Sequence, residues 1–294
     1  MFFVIILACS GSRREIGLYD QMQKLWAGVS IAKCTQKCYN STIMATEVIS
    51  GAQHLIYDAD SVWLQVNRTF GNTVPELSDD GLENRDRAVR RIREFTAATH
   101  LIRIKPLGTS GFVDLGVRTP VEEKVVTDGL ITTNPDHILH ANPADCGQIA
   151  VTGYSGTVEK SVLGLFHASR RIVDEGGHIT PLEYMRDAYG IETQDMTVRL
   201  SPSIRKESYI FSNIDASQRS DPKWEGYIHE TDQGEWSVDF HQRTIDDLIQ
   251  LGVETDNLFV SPHDTGADSI HFSKYRQERG MQERGGNGLF VALR

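Results

Sequence analysis

A series of short β-forming runs, separated by turns that contain glycine and proline, constrains the fold of this chain most strongly. The runs cover residues 101–104, 111–115, 125–126, 129–132, 137–141, 147–152 and 161–166. Short apolar or alternating runs bounded by turn residues are typical of strands. Gly153 and Gly156 predict a turn between the last two. This part of the chain should therefore form a sheet.

Fewer segments have a helical pattern. Val89, Ile92 and Phe95 form an apolar stripe that predicts a helix over 82–99, and residues 180–190 also look helical. A further helix should begin at Asp239, a good N-cap, and end at Gly252. Further strands are expected at 196–200, 258–261 and 289–293, and residues 213–236 read as a polar loop. The pattern favours an α+β fold, in which helices flank a mixed layered sheet.

Composition limits the function. The chain has 294 residues with glycine, proline and charge spread evenly, so a single domain is the simpler expectation. Its net charge of -10 argues against nucleic acid as a partner, and no apolar stretch is long enough to span a membrane. The apolar start, residues 1–12, could be a signal or a lipoprotein leader. A buried first strand is the favoured interpretation, which suggests a reducing, cytoplasmic setting.

Cys146 and His167 are the residues with the clearest chemical potential. Cys146 follows Asp145 between two predicted strands, and the last of the β-forming runs leads directly into His167. A cysteine and a histidine at strand ends can share a crevice, where they could bind Zn²⁺ or copper or act as a nucleophile and base. An inert buried cysteine and a surface histidine remain the alternative.

Arginines follow this pair and recur near the C-terminus. Arg170 and Arg171 come directly after the predicted strand end, and Arg276 lies in a glycine-rich basic stretch. Guanidinium groups match phosphate oxygens well, so these residues suit an anionic substrate. Ordinary surface arginines are the alternative. The arginines of the helix at 82–99 are expected on a solvated face, paired with acids.

Five motifs in the same order resemble those of the laccase-domain family, also known as the multicopper polyphenol oxidase or purine nucleoside phosphorylase family. They are 84–87 (NRDR), 127–132 (TDGLIT), 144–149 (ADCGQI), 167–172 (HASRRI) and 236–240 (WSVDF), followed by 271–276 (HFSKYR) near the end of the chain. The match covers about residues 80–294. We therefore expect residues 56–294 to form the family's domain, with 1–55 as a divergent N-terminal part of it.

The resemblance implies fold and function together. The implied fold is a layered α-β-β-α arrangement, shared distantly with the catalytic domain of cytotoxic necrotizing factor toxins. The implied activity is phosphorolysis of the purine nucleosides adenosine, inosine and guanosine, with adenosine deamination as a side activity. Carried over by position, Cys146 and His167 would be ligands of zinc or copper, Asp145 would belong to the catalytic group, and Arg171, with Arg276, would hold phosphate and ribose.

The sequence departs from the family pattern at one metal ligand. Leu107 stands where the family has its first ligand histidine, and leucine cannot bind a metal. His140 and His263 are the candidate replacements. Three hypotheses therefore stay open: a phosphorylase-like enzyme that is impaired by this change, a metal-free Cys/His hydrolase or deamidase, and a non-catalytic homologue that binds a nucleotide or a partner.

Overall fold

The computed structural model describes residues 46–50, 53–57, 60–74, 76, 80–116 and 123–294. Its α-helices are α1 (Gly81–Arg93), α2 (Arg170–Asp174), α3 (Thr180–Tyr189), α4 (Ala216–Arg219), α5 (Phe240–Leu251) and α6 (Lys274–Glu278). Its strands are β1 (Thr46–Ser50), β2 (Gln53–Tyr57), β3 (Ser61–Val66), β4 (His100–Lys105), β5 (Phe112–Asp114), β6 (Lys124–Val126), β7 (Gly129–Thr132), β8 (His137–Ala141), β9 (Gly147–Ser155), β10 (Lys160–Ala168), β11 (Thr197–Leu200), β12 (Ile210–Phe211), β13 (Ile228–Glu230), β14 (Trp236–Val238), β15 (Leu258–Val260) and β16 (Gly288–Leu293).

Two large mixed sheets form the centre of the molecule. The first has the strand order β1-β2-β3-β16-β8-β4-β6, and the second has the order β15-β11-β9-β10-β7-β5. A small third sheet contains β12, β14 and β13. The antiparallel hairpin β9–β10 is the longest pairing and runs from Lys160 opposite Ser155 to Ala168 opposite Gly147. The expected α+β class with a mixed sheet is confirmed.

Alternating side chains hold the two sheets together. On β10, Leu163 and Leu165 join a buried cluster with Leu289 and Val291 of β16, so this cluster lies between the two sheets. The intervening residues of β10, such as Phe166, join a different cluster on the outer face of the second sheet. Strands buried on both faces explain why the sequence runs are continuously apolar rather than alternating.

Helices cover both outer faces, which completes the α-β-β-α layering that the resemblance implies. The apolar stripe of α1 packs through Val89 and Ile92 on Phe290 of the first sheet. On the second sheet the covering residues come from α3 and α5. The two residues predicted to cap α5 do so. Asp239 accepts from the backbone N–H of Gln242 at 2.9 Å, and Gly252 has the left-handed φ of 104° that ends the helix.

Two local expectations were wrong. Gly153 lies inside β9 rather than in a turn, and a Cβ there would come 2.6 Å from Cγ2 of Ile191. Glycine is therefore needed for close packing at this position. The segment 213–236 is also not a simple loop, because it contains α4 and β13 and buries Trp224, whose indole N–H donates to Asp174.

One expectation falls outside the described residues, namely the strand proposed for residues 1–12. The boundary at residue 55 between a divergent part and the family domain stays a prediction. Within the described ranges, no helix is long and apolar enough to cross a membrane.

A matched pair of phenylalanines tests the core. Phe290 is fully buried between α1 and the first sheet, whereas Phe259 is 44% exposed. We expect Phe290→Ala to lower the free energy of unfolding by about 3–5 kcal/mol, because it removes a buried ring and leaves a cavity. Phe259→Ala should cost less than about 1 kcal/mol. Urea denaturation measures both values, and equal losses would contradict this assignment of the core.

Candidate functional site

The β9–β10 hairpin brings Cys146 and His167 together. Cys146 directly precedes β9 and is half-buried, and His167 is the penultimate residue of β10, opposite Gln148. Antiparallel pairing places the start of one strand beside the end of the next. The two side chains interact closely enough for the cysteine to raise the pKa of the imidazole.

Asp128 lies on the other side of His167. Its Oδ1 is 3.0 Å from Nδ1 of the imidazole, and its backbone carbonyl accepts from the His167 N–H at 2.7 Å. The carboxylate also accepts from the backbone N–H groups of Leu107, Gly108 and Thr109 at 3.1, 2.8 and 2.8 Å. This side chain is 3% exposed. A buried carboxylate with this many donors is fixed in place and stays ionised.

The electrostatics of the pair follow from these contacts. Burial works to raise the pKa of Asp128, but the hydrogen bonds from His167 and from the backbone outweigh it and hold that pKa well below its ordinary value. Burial works to lower the pKa of His167, but its interactions with Asp128 and Cys146 outweigh it and raise that pKa to about 9. The imidazole is therefore protonated at neutral pH. With Nδ1 held by Asp128, Nε2 is the atom that can exchange a proton with another molecule.

Sequence reasoning did not single out Asp128. It appears in the TDGLIT motif, but nothing in the spacing of the chain indicates that it contacts a histidine 39 positions away. One feature of the sequence could have indicated its role: Asp128 directly precedes the β-forming run 129–132, which the structure buries completely. A buried charge is expected to have a specific partner.

Arg170 packs against two aromatic rings. The Arg170 guanidinium lies 4.9 Å from the ring centre of Phe211 and 5.8 Å from that of Tyr209. Burial raises the pKa of Tyr209 and Arg170 lowers it, while Cys146 and Asp145 act to raise it, so Arg170 and Cys146 both lie near Tyr209. The Nη1 atom of Arg170 is buried and has no hydrogen-bond partner among the described residues.

Arg171 has a different environment. Its side chain is 69% exposed and pairs with Glu175 at 3.0 Å, four residues along the chain. It has the geometry of an ordinary surface pair on a helix. An anionic group bound near Cys146 would therefore meet Arg170 first.

Asp145 fixes the loop that follows β15. Its Oδ1 accepts from the hydroxyl of Thr265 at 2.7 Å, and its Oδ2 accepts from the backbone N–H of Tyr275 at 2.7 Å. Both carboxylate oxygens are thus engaged within the protein. This residue beside Cys146 therefore links the start of β9 to the C-terminal segment.

The other predicted site residues lie elsewhere. His140 is fully buried in the first sheet, where Nδ1 is 2.9 Å from the Leu289 carbonyl and the ring stacks on Phe290. Burial lowers its pKa to about 3. His263 pairs with Asp268 at 2.8 Å, and the guanidinium of Arg276 donates to the Asp268 carbonyl at 2.7 Å.

The donors beside Cys146 do not fit the three-ligand zinc or copper site that the resemblance implies. Catalytic zinc usually has three protein ligands and one open position. Leu107 occupies the position of the missing ligand, and its aliphatic side chain is 55% exposed. Among the described residues, no third histidine, cysteine or carboxylate lies with Cys146 and His167 in a group whose ligand atoms are all within 4.8 Å of one another. Cys146 and His167 thus supply only two of the three protein ligands that such a site needs.

One cavity lies away from these residues. It has a volume of about 800 Å³ and lies between α1 and β4, lined by Arg85, Arg90, Arg93 and His100 among others. Two arginines of α1 form the ion pairs expected for this helix: Arg85 lies 3.0 Å from Glu123, and Arg91 pairs with Glu94. None of the residues predicted for the site lines this cavity.

The pKa of His167 gives a testable pH dependence. Because this pKa rises from 6.5 to about 9 on folding, the associated stabilisation is complete below about pH 6.5 and is lost as the pH rises towards 9. Asp128→Asn removes the ionised partner, so the imidazole should titrate well below the wild-type value. NMR titration of the ring protons measures both values. Asp136→Asn, which alters an exposed His–Asp pair, is the matched control. A wild-type His167 that titrates near 6.5 would contradict the assignment.

Comparison with known proteins identifies the family of this chain. The family model of the multi-copper polyphenol oxidoreductase laccase matches residues 70–294. No curated protein matches the chain at a significant level.

Solved structures share the fold at low sequence identity. The hypothetical protein YfiH of Bacillus licheniformis is 19% identical, with a TM-score of 0.61 over 83% of this chain and 97% of that one. YlmD from Geobacillus stearothermophilus is 20% identical, with a TM-score of 0.61 over 80% of this chain and 92% of that one. A Neisseria meningitidis protein of family DUF152 is 14% identical, with a TM-score of 0.63 over 85% of this chain and 98% of that one. The family model covers most of the chain and agrees with the motifs that the sequence carries, so the chain belongs to the multi-copper polyphenol oxidoreductase laccase family.

Proposed function

We propose that this protein catalyses the phosphorolysis of purine nucleosides, with His167 rather than a protein-held metal assisting departure of the base. The observation that carries the proposal is a protonated imidazole held by Asp128. Three residues further along the chain, Arg170 has a buried Nη1 with no hydrogen-bond partner among the described residues. Phosphorolysis needs these two elements, an acid for the leaving base and a cation for the attacking phosphate.

The reaction can be written with these side chains alone. Arg170 binds inorganic phosphate and directs one oxygen to the anomeric carbon of the ribose. The glycosidic bond breaks as the new C–O bond forms, and Nε2 of His167 donates its proton to a purine nitrogen. The products are ribose 1-phosphate and the free base. Asp128 holds the imidazole by Nδ1 throughout. Adenosine deamination, the side activity implied by the resemblance, would need water as the nucleophile at the same site.

Two arginines on one helix give a matched test of this proposal. We expect His167→Gln to lower kcat for inosine by about 100- to 10,000-fold, because it removes the general acid. Arg170→Gln should raise KM for phosphate by at least about 10-fold, whereas the exposed Arg171→Gln should leave it nearly unchanged. Release of hypoxanthine from inosine and phosphate measures all three. Absence of hypoxanthine release by the wild-type protein would contradict the proposal, as would equal effects of the two arginine variants.

A second candidate is a cysteine-dependent amidase or deamidase. The observation that favours it is the alignment of Cys146, His167 and Asp128, since an imidazole oriented by a carboxylate beside a thiol is the arrangement of cysteine hydrolases. Sγ would attack the carbonyl carbon of a carboxamide, and ammonia would leave with a proton from His167. Water would then hydrolyse the thioester to the carboxylate and restore the thiol.

Cys146→Ser separates the two candidates. In the amidase, replacing the nucleophile should abolish ammonia release from a glutamine-containing peptide. In the phosphorylase, phosphate is the nucleophile, so the same variant should keep hypoxanthine release within a few-fold of wild type. Alkylation of Cys146 by iodoacetamide, followed by mass spectrometry, reports whether the thiol is accessible in the folded protein. A thiol that resists alkylation and a wild type that releases no ammonia would exclude the amidase.

A further inference from the structure

A second group of candidate metal ligands lies in the loop between β15 and α6. Nδ1 of His263 is 2.8 Å from Oδ2 of Asp268, and Nδ1 of His271 is 3.4 Å from the same oxygen. The three ligand atoms all lie within 4.8 Å of one another. The two imidazole rings are 5.0 Å apart between centroids and tilted by 53°. Among the described residues this is the one group of three such side chains that converge in this way.

The buried member of the group lacks a hydrogen bond. His271 is 3% exposed, and its Nδ1 has no hydrogen-bond partner among the described residues. Its 3.4 Å approach to Asp268 does not satisfy that atom. Buried polar atoms are nearly always satisfied, and an exception often marks the place of an ion or a bound water. Here the unsatisfied nitrogen lies beside a carboxylate and a second imidazole, which are groups that a metal ion could bind.

We propose that His263, Asp268 and His271 bind one divalent transition-metal ion of borderline softness, such as Zn²⁺. Two imidazoles and one carboxylate form a donor set that suits zinc and neighbouring first-row metals. His263 is 43% exposed on its side chain, so the remaining coordination positions open towards solvent and can take water. The inference does not depend on the proposed phosphorolysis.

Contacts around the group already orient the central ligand. Oδ1 of Asp268 accepts from the backbone N–H of Ile270 at 2.7 Å, which leaves Oδ2 for the metal. Arg276 donates to the Asp268 carbonyl at 2.7 Å and does not occupy the carboxylate. Outer contacts of this kind hold first ligands in position. Arg276, which sequence reasoning assigned to phosphate, would therefore support the metal-binding loop.

The metal group and the Cys146 group are separate but joined by one loop. Thr265, two residues after His263, donates to the carboxylate of Asp145, the neighbour of Cys146. A metal bound at His263 would restrict the loop that borders the candidate active site without supplying a ligand to it. The family pattern had suggested His263 as a replacement for the missing ligand beside Cys146. The geometry points instead to a site of its own.

Zinc binding by the full chain tests the inference. Protein purified without a polyhistidine tag is stripped with EDTA, dialysed and titrated with Zn²⁺ alone against a chromophoric chelator. We expect one equivalent to bind, with the affinity lowered by about 10- to 100-fold or more in His263→Gln and Asp268→Asn. His263→Gln replaces a partly exposed side chain, so it is the variant least prone to unfold. Circular dichroism checks that each variant keeps the fold.

Two controls distinguish this site from other zinc sites. His100→Gln removes an exposed histidine that also pairs with an aspartate, at 2.6 Å, but does not belong to a group of three ligands. Cys146→Ser removes the thiolate of the candidate active site. Both variants should bind Zn²⁺ as the wild type does, and the Co²⁺-loaded wild type should lack the absorption of a thiolate-bound metal. Absence of zinc binding by the wild type would overturn the proposal, as would loss of binding in Cys146→Ser with full binding in His263→Gln.

Discussion

The hydrogen bond between Asp128 and His167 is the interaction on which the candidate site depends. It joins the turn before β7 to the end of β10, and backbone N–H groups of residues 107–109 surround the same carboxylate. A buried carboxylate is unfavourable unless its charge is compensated, and here neutral dipoles and one cation compensate it. The cost of separating the two partners therefore keeps the imidazole charged, oriented and next to Cys146.

This interaction also gives a physical account of the missing family ligand. Leu107 still delivers its backbone N–H to Asp128, so the loop keeps its course although the side chain can no longer bind metal. Backbone hydrogen bonds do not depend on the side chain that a residue carries. The loop geometry can thus survive a substitution that removes a side chain able to bind metal.

The layered architecture explains why the site forms at the end of one hairpin. Both faces of β10 are covered, by the first sheet on one side and by helices on the other, so a polar residue is tolerated only where the strand ends. His167 lies at that end, and α2 begins immediately after it, with Ser169 as its N-cap. The turn into α2 brings Arg170 next to Tyr209 and Phe211 and leaves Arg171 in solvent.

The sequence by itself determined the fold class, most strand and helix positions, and the pairing of Cys146 with His167. These depend on local patterns, namely apolar runs, cap residues and turns, together with motifs in a fixed order. Only the tertiary structure decided that Asp128 holds the histidine, that Arg170 packs on aromatic rings while Arg171 lies in solvent, and that His263 lies with Asp268 and His271. The contact of Asp128 with His167 and the group around His263 depend on which side chains meet in the folded chain. The different surroundings of Arg170 and Arg171 depend on which side of α2 each residue occupies. Local patterns do not contain that information, because the packing of the two sheets and the path of the loops fix it.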